Sequence, residues 1–134
     1  LAKVSGLPTG VAVDDAGGVA RTISNDILSI NVATPRGVQD VTGLDKSAME
    51  RLLLLADFNG TMNGVFNTAA NMSHDVLKTV TSSSAQRTIT ITYPGATLAA
   101  EVIISDYQVN RAQDGSLTWS APFSLADGTV PAWT

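Results

Sequence analysis

The chain has 134 residues, no cysteine, a net charge of −4, and 15% charged against 44% hydrophobic residues. That length fits a single domain, residues 1–134, with a hydrophobic core that needs no staples. Without cysteine there can be no disulfide or thiolate metal site, and the scattered Lys and Arg form none of the basic patches on which tight nucleic-acid binding depends.

An average soluble domain is about 25% charged. Charge this sparse points to a surface covered by partners, because interface cores are depleted of charge. Obligate self-association is the expectation, and a small monomer coated with Thr, Ser and Asn is the alternative. The longest apolar run, Leu52–Ala56, is far short of a membrane span. Leu1–Gly6 lacks the charged-then-apolar layout of a signal peptide, so the expectation is assembly in the cytoplasm with no membrane partner.

In chain order, residues 1–10 hold two Gly and one Pro without periodicity and read as an extended N-terminal arm. Val11–Val13 fits a short strand before the turn Asp14–Gly18. In Ile27–Thr34 the residues Leu28, Ile30 and Val32 alternate with Ser29, Asn31 and Ala33, which predicts a half-buried strand. Pro35–Gly43 reads as a loop. Leu44, Ala48, Met49, Leu52, Leu53 and Ala56 recur at helical spacing, with Thr42 placed to cap and Leu54 and Leu55 widening the apolar face. A helix over Leu44–Ala56 is therefore expected.

Phe58–Asn67 fits a strand whose Gly60 and Gly64 invite close backbone approach or a bulge, with hairpin turns at Asn59-Gly60 and Asn63-Gly64 as the alternative, and Asn71–Val80 has room for a short helix capped by Ser73. Thr88, Thr90 and Thr92 then alternate with Ile89 and Ile91 ahead of a Tyr93-Pro94-Gly95-Ala96 turn. Leu98–Asn110 reads as one long strand and Arg111–Gly115 as a hairpin. Leu117, Trp119, Ala121 and Phe123 form a last alternating strand before Asp127-Gly128 turns the chain into its tail. The sum is a mainly β fold, a β-sandwich or open barrel of about six strands with one flanking α-helix.

Chemistry-bearing groups do not gather. His74 is the single histidine, and its neighbour Asp75 points the wrong way to complete a triad. The carboxylates are dispersed beside Gly, Asn and Ser, where Asp makes turns rather than acid–base pairs. No glycine pattern suits a phosphate or dinucleotide. No enzyme, metal or cofactor is expected. Trp119, Trp133, Tyr93 and Tyr107 admit a sugar-stacking platform, but core packing is the simpler role.

Three blocks carry a resemblance. They are Asn25–Ile30 running through Thr34–Leu52, then Asn63–Asn67 through Ser73–Thr79, and Asp106–Arg111 through Asp114–Trp119 with Ala126–Trp133. Together they resemble the major tail tube proteins of long-tailed bacteriophages. The resemblance implies a tail-tube fold and a virion tail subunit assembled in the host cytoplasm. Its partners would be copies of itself in stacked hexameric rings, a tape measure protein, and tail terminator and tail tip proteins. DNA would pass without specific binding along an acidic lumen.

It also implies that Pro35, Arg36, Gly37, Val38, Gln39, Asp40 and Val41 form an inter-ring contact loop, with Arg36 and Asp40 as polar contacts. Met49, Leu52 and Leu53 would pack a helix on the sandwich, with Leu54 or Leu55 toward a neighbouring subunit. Thr88, Thr90, Thr92 and Glu101 are one candidate lumen face. A head decoration or tail connector protein and a carbohydrate-binding β-sandwich are the alternative readings.

Overall fold

A computed structural model describes residues 2–134. Eleven strands and one short α-helix are found among them: β1 (Gly10–Asp14), β2 (Ala20–Thr22), β3 (Ile27–Ala33), β4 (Arg36–Asp40), β5 (Arg51–Ala56), β6 (Asn59–Val65), α1 (Ser73–Leu77), β7 (Arg87–Tyr93), β8 (Ala96–Ile104), β9 (Gln108–Arg111), β10 (Leu117–Leu125) and β11 (Ala132–Trp133). Nine strands make one antiparallel sheet in the order β2-β1-β7-β8-β10-β6-β3. In it β9 extends β10, and β11 adds to β8. The remaining two, β4 and β5, pair only with each other.

The mainly β architecture with one helix agrees with the sequence expectation, and the strand count exceeds it because β2 and β11 add to the sheet, Leu98–Asn110 divides into β8 and β9, and β4 and β5 form a separate pair. Inward residues from both halves of the sheet share one core: Val11, Val13, Ile89, Ile91, Leu98 and Val102 meet Met62, Trp119, Ala121 and Phe123. The period-two pattern of β7 and β10 decides this, since each strand sends every second residue inward. Gly60 and Gly64 let β6 press against its neighbours. A Cβ at Gly60 would stand 2.1 Å from the Asn31 carbonyl oxygen, and one at Gly64 would stand 2.6 Å from the Trp119 ring.

Two strands depart from simple alternation. A bulge between Ile27 and Ser29 shifts the β3 register, so Ile27, Ile30 and Val32 face the core while Leu28 is turned out to 65% exposure. The expected long strand Leu98–Asn110 breaks at Ser105–Tyr107, and both pieces run along β10: the end of β8 pairs with Phe123–Leu125 and β9 with Leu117–Ser120, one residue out of register.

The helix of the fold is α1 and not Leu44–Ala56. Val76 and Leu77 bury its inner side. Ser73 does not cap it through its hydroxyl. Instead the buried Asp26 carboxylate accepts the Ser73 N–H and the Asn67 amide, each at 2.9 Å. Arg87 closes the other end, donating to the Val76 carbonyl (2.7 Å), the Thr79 hydroxyl (2.9 Å) and the Asp14 carbonyl (3.1 Å). Burial pulls its guanidinium down from its ordinary value, and the nearby Asp15 and Asp14 charges oppose that. Residues 2–9 lie outside the sheet, with one turn closed by the Thr9 N–H on the Gly6 carbonyl.

Candidate assembly surfaces

The segment expected to form a loop and a helix is a projecting β-ribbon. Pro35–Gly43 is mostly strand, because β4 pairs antiparallel with β5 through Val38↔Leu53, Gln39↔Leu52 and Asp40↔Arg51. Met49, Leu52, Leu53, Leu54 and Leu55 therefore sit on a strand and the turn leading into it. No helix packs them on the sandwich. The physical reason lies in the leucine run: four consecutive apolar residues fill both faces of a strand as readily as they widen a helical stripe. Long-range pairing with Val38 and Gln39 decides between the two.

Local hydrogen bonds shape the ribbon. Arg36 donates from Nε and Nη2 to the Leu54 carbonyl at 3.1 and 2.9 Å. Asp40 accepts the Thr42 hydroxyl at 2.6 Å and its N–H at 2.9 Å, and these two bonds hold its carboxyl below the ordinary range. Thr42, expected as a helix cap, instead ties the turn shut, since its hydroxyl also accepts the Glu50 N–H at 2.8 Å. At the base, the Asp57 N–H donates to the Pro35 carbonyl at 2.8 Å.

Among the described residues, none packs fully over the ribbon's apolar side chains. Leu55 is 88% exposed and Leu53 62%, with Val38, Met49, Leu52 and Leu54 also open. Side chains alternate along a strand, so Val38 and Leu53 occupy one face and Leu52 and Leu54 the other. An isolated two-stranded ribbon is marginal in water, and contiguous exposed apolar surface marks an interaction site.

The other candidate residues fall elsewhere. Thr88, Thr90 and Thr92 lie on the outer side of β7. Register sets Thr88 opposite Glu101, with its hydroxyl donating to Glu101 Oε2 at 2.7 Å, while Thr90 stands between Ala12 and Ala99 and Thr92 between Gly10 and Thr97. His74 Nδ1 lies 3.1 Å from the Tyr107 hydroxyl, and its ring packs beside Phe66. Trp119 is core, with its Nε1 donating to the Val65 carbonyl at 2.8 Å, whereas Trp133 packs on Tyr93. No group of three or more metal-ligating side chains occurs among the described residues.

A second surface was not read from the sequence. On the side of β3, β6, β10 and β9 away from the core, register lines up Ser29, Asn63, Ser120 and Gln108 in one row across the four strands. Its signal lay in the alternate positions of each strand, which are Ser, Asn, Thr or Gln except at Ala33, Val65 and Pro122.

No protein-family model and no curated sequence matches this chain. Solved structures do. The tail of the empty gene transfer agent particle, refined with C6 symmetry, superposes with a TM-score of 0.80 at 14% identity, over 98% of this chain and 99% of that one. The chain has the tail-tube fold. A chain from the native gene transfer agent virion matches over the same shares with a TM-score of 0.78 at 14% identity. One from the six-fold anti-feeding prophage baseplate matches with 0.67 at 12% identity, over 100% of this chain and 96% of that one. The likeness covers nearly the whole chain.

Proposed function

We propose that the chain is a structural tail subunit that polymerises into stacked six-membered rings and forms a conduit for DNA. One observation carries this reading: the β4–β5 ribbon exposes apolar side chains on both faces, in a fold shared with a tail of C6 symmetry. Ring neighbours would cover the side chains of Leu52–Leu55 and Met49, and Pro35–Val41 would reach the adjacent ring. Arg36 and Asp40 keep hydrogen-bonding capacity beyond their internal bonds for that contact. Heterologous contacts that also stack grow into a filament of fixed geometry. The task asks for no catalytic group and no cofactor. A tape measure protein inside and terminator and tip proteins at the ends are the partners such a tube requires, and the location is the virion tail.

Negative-stain microscopy of the concentrated protein tests this, with rings or tubes as the expected result. Leu53→Asp with Leu55→Asp should abolish them and leave the subunit's melting temperature within a few degrees of the original. Dispersed subunits at every concentration would overturn the reading. Growth that stops at one ring would instead favour a connector, in keeping with the likeness to a baseplate component.

A further inference from the structure

Strands β3, β6, β9 and β10 carry a single charged residue, Arg111, in a chain with eight basic and twelve acidic ones. Arg111 pairs with Leu117, on the opposite parity from Asn110 and Gln108. The outward row Ser29, Asn63, Ser120 and Gln108 is therefore flanked by Asn31, Thr61, Asn110 and Thr118, with Leu28 at its edge, and by no charge within these strands. The side chains are tied down: Asn31 Oδ1 accepts the Thr61 N–H at 2.9 Å, and Asn63 Nδ2 donates to Ser29 Oγ at 3.3 Å.

Such a face fits poorly in two of the three places a tube offers. Buried between subunits, its amides and hydroxyls would each need a partner or lose about 1–3 kcal/mol. That is unlike the ribbon, whose leucines gain by burial. On the outside, soluble surfaces rely on interspersed charge. The third place is a wet wall beside a polyanion. Cations there would neutralise phosphates and release counterions, which holds DNA in place. We infer that this hydroxyl–amide sheet is the tube's DNA-facing wall, and that a duplex slides past because the wall exchanges no counterions with it. The inference rests on the tube reading. It makes the wall neutral where the resemblance implies an acidic one, and it sets aside the β7–β8 face, where Glu101 of β8 lies opposite Thr88.

The cysteine-free sequence makes the test direct. Ser120→Cys, Gln108→Cys and Thr90→Cys are each assembled into tubes and treated with a small maleimide or with one coupled to a globular protein too wide for the lumen. Ser120→Cys and Gln108→Cys should react with the small reagent alone, while dissociated subunits react with both. Labelling by both reagents in tubes, or by neither, overturns the wall assignment, and the small-reagent-only pattern at Thr90→Cys instead moves the wall to β7. If one of the row variants fails to assemble, the other decides.

A second readout addresses charge. Tubes of Ser120→Lys with Asn63→Lys should retain short duplex DNA at least ten-fold more than the original at low salt, with the excess lost as salt rises. Equal retention overturns the counterion argument. Failure of the original chain to form tubes overturns the tube reading itself, a result distinct from labelling by both reagents on tubes that do form.

Discussion

Gly60 and Gly64 have no room for a methyl group, because the nearest atoms to a Cβ at either position are backbone carbonyl oxygens, of Asn31 and Asp26. Backbone cannot rotate aside as a flexible side chain can. Gly60→Ala should therefore cost about 3 kcal/mol, the upper end for overpacking, read as a fall in the denaturant midpoint. Arg87→Met keeps volume but leaves the Val76 and Asp14 carbonyls without their donor. An unfolding titration should show a loss of about 2–4 kcal/mol. Asp40 titrates in the same language of local bonds. The Thr42 hydroxyl and N–H depress its carboxyl below 3.8, so its contribution is complete above that value and is lost as pH falls through the depressed one. Asp40→Asn should flatten the acid limb of any ribbon-specific signal below about pH 4, such as fluorescence from a Leu44→Trp reporter, and leave the neutral region alone.

At the scale of elements, the proposed role of the ribbon separates assembly from folding. It pairs with no other strand, so replacing Leu52 and Leu54 by Ser should move the subunit's melting temperature little and stop tube growth. Calorimetry beside light scattering checks both halves. The same independence explains what the sequence hid. Strands β7 and β10 were legible because each pairs a buried row with a polar one, and Gly60 and Gly64 announced a close approach that the sheet makes. The ribbon was not legible, because Leu52–Leu55 has no polar alternation from which a period can be read. Both its faces are exposed, and a helical stripe could be drawn through the same residues. Leu28 misled for a smaller reason: a bulge at Ile27–Ser29 turned it outward. The hydroxyl–amide face was spelled out at alternate positions of four strands, but only register brings those positions into one row.

For the whole molecule, the scarcity of charge divides the surface into kinds. Apolar groups share the ribbon with Arg36, Asp40, Lys46, Glu50 and Arg51, mostly neutral polar groups cover β3-β6-β10-β9, and the other charges lie mainly at turns and on the other half of the sheet. Assembly driven by the ribbon's leucines should strengthen with sulfate, and sodium chloride should weaken only the smaller share that Arg36 and Asp40 contribute. A turbidity series in the two salts checks this, and strong weakening by sodium chloride would point to the rims instead.

The sheet order also sets a timetable. Strand β1 pairs with β7, and β3 with β6, so the sheet closes only when distant segments meet. Topologies dominated by non-local pairing fold in milliseconds to seconds. The leucine ribbon is local and needs none of that closure to become sticky. Each newly made chain therefore passes through an interval in which its adhesive segment is ready and its scaffold is not, and warmth or crowded synthesis should send a share of it into inclusion bodies.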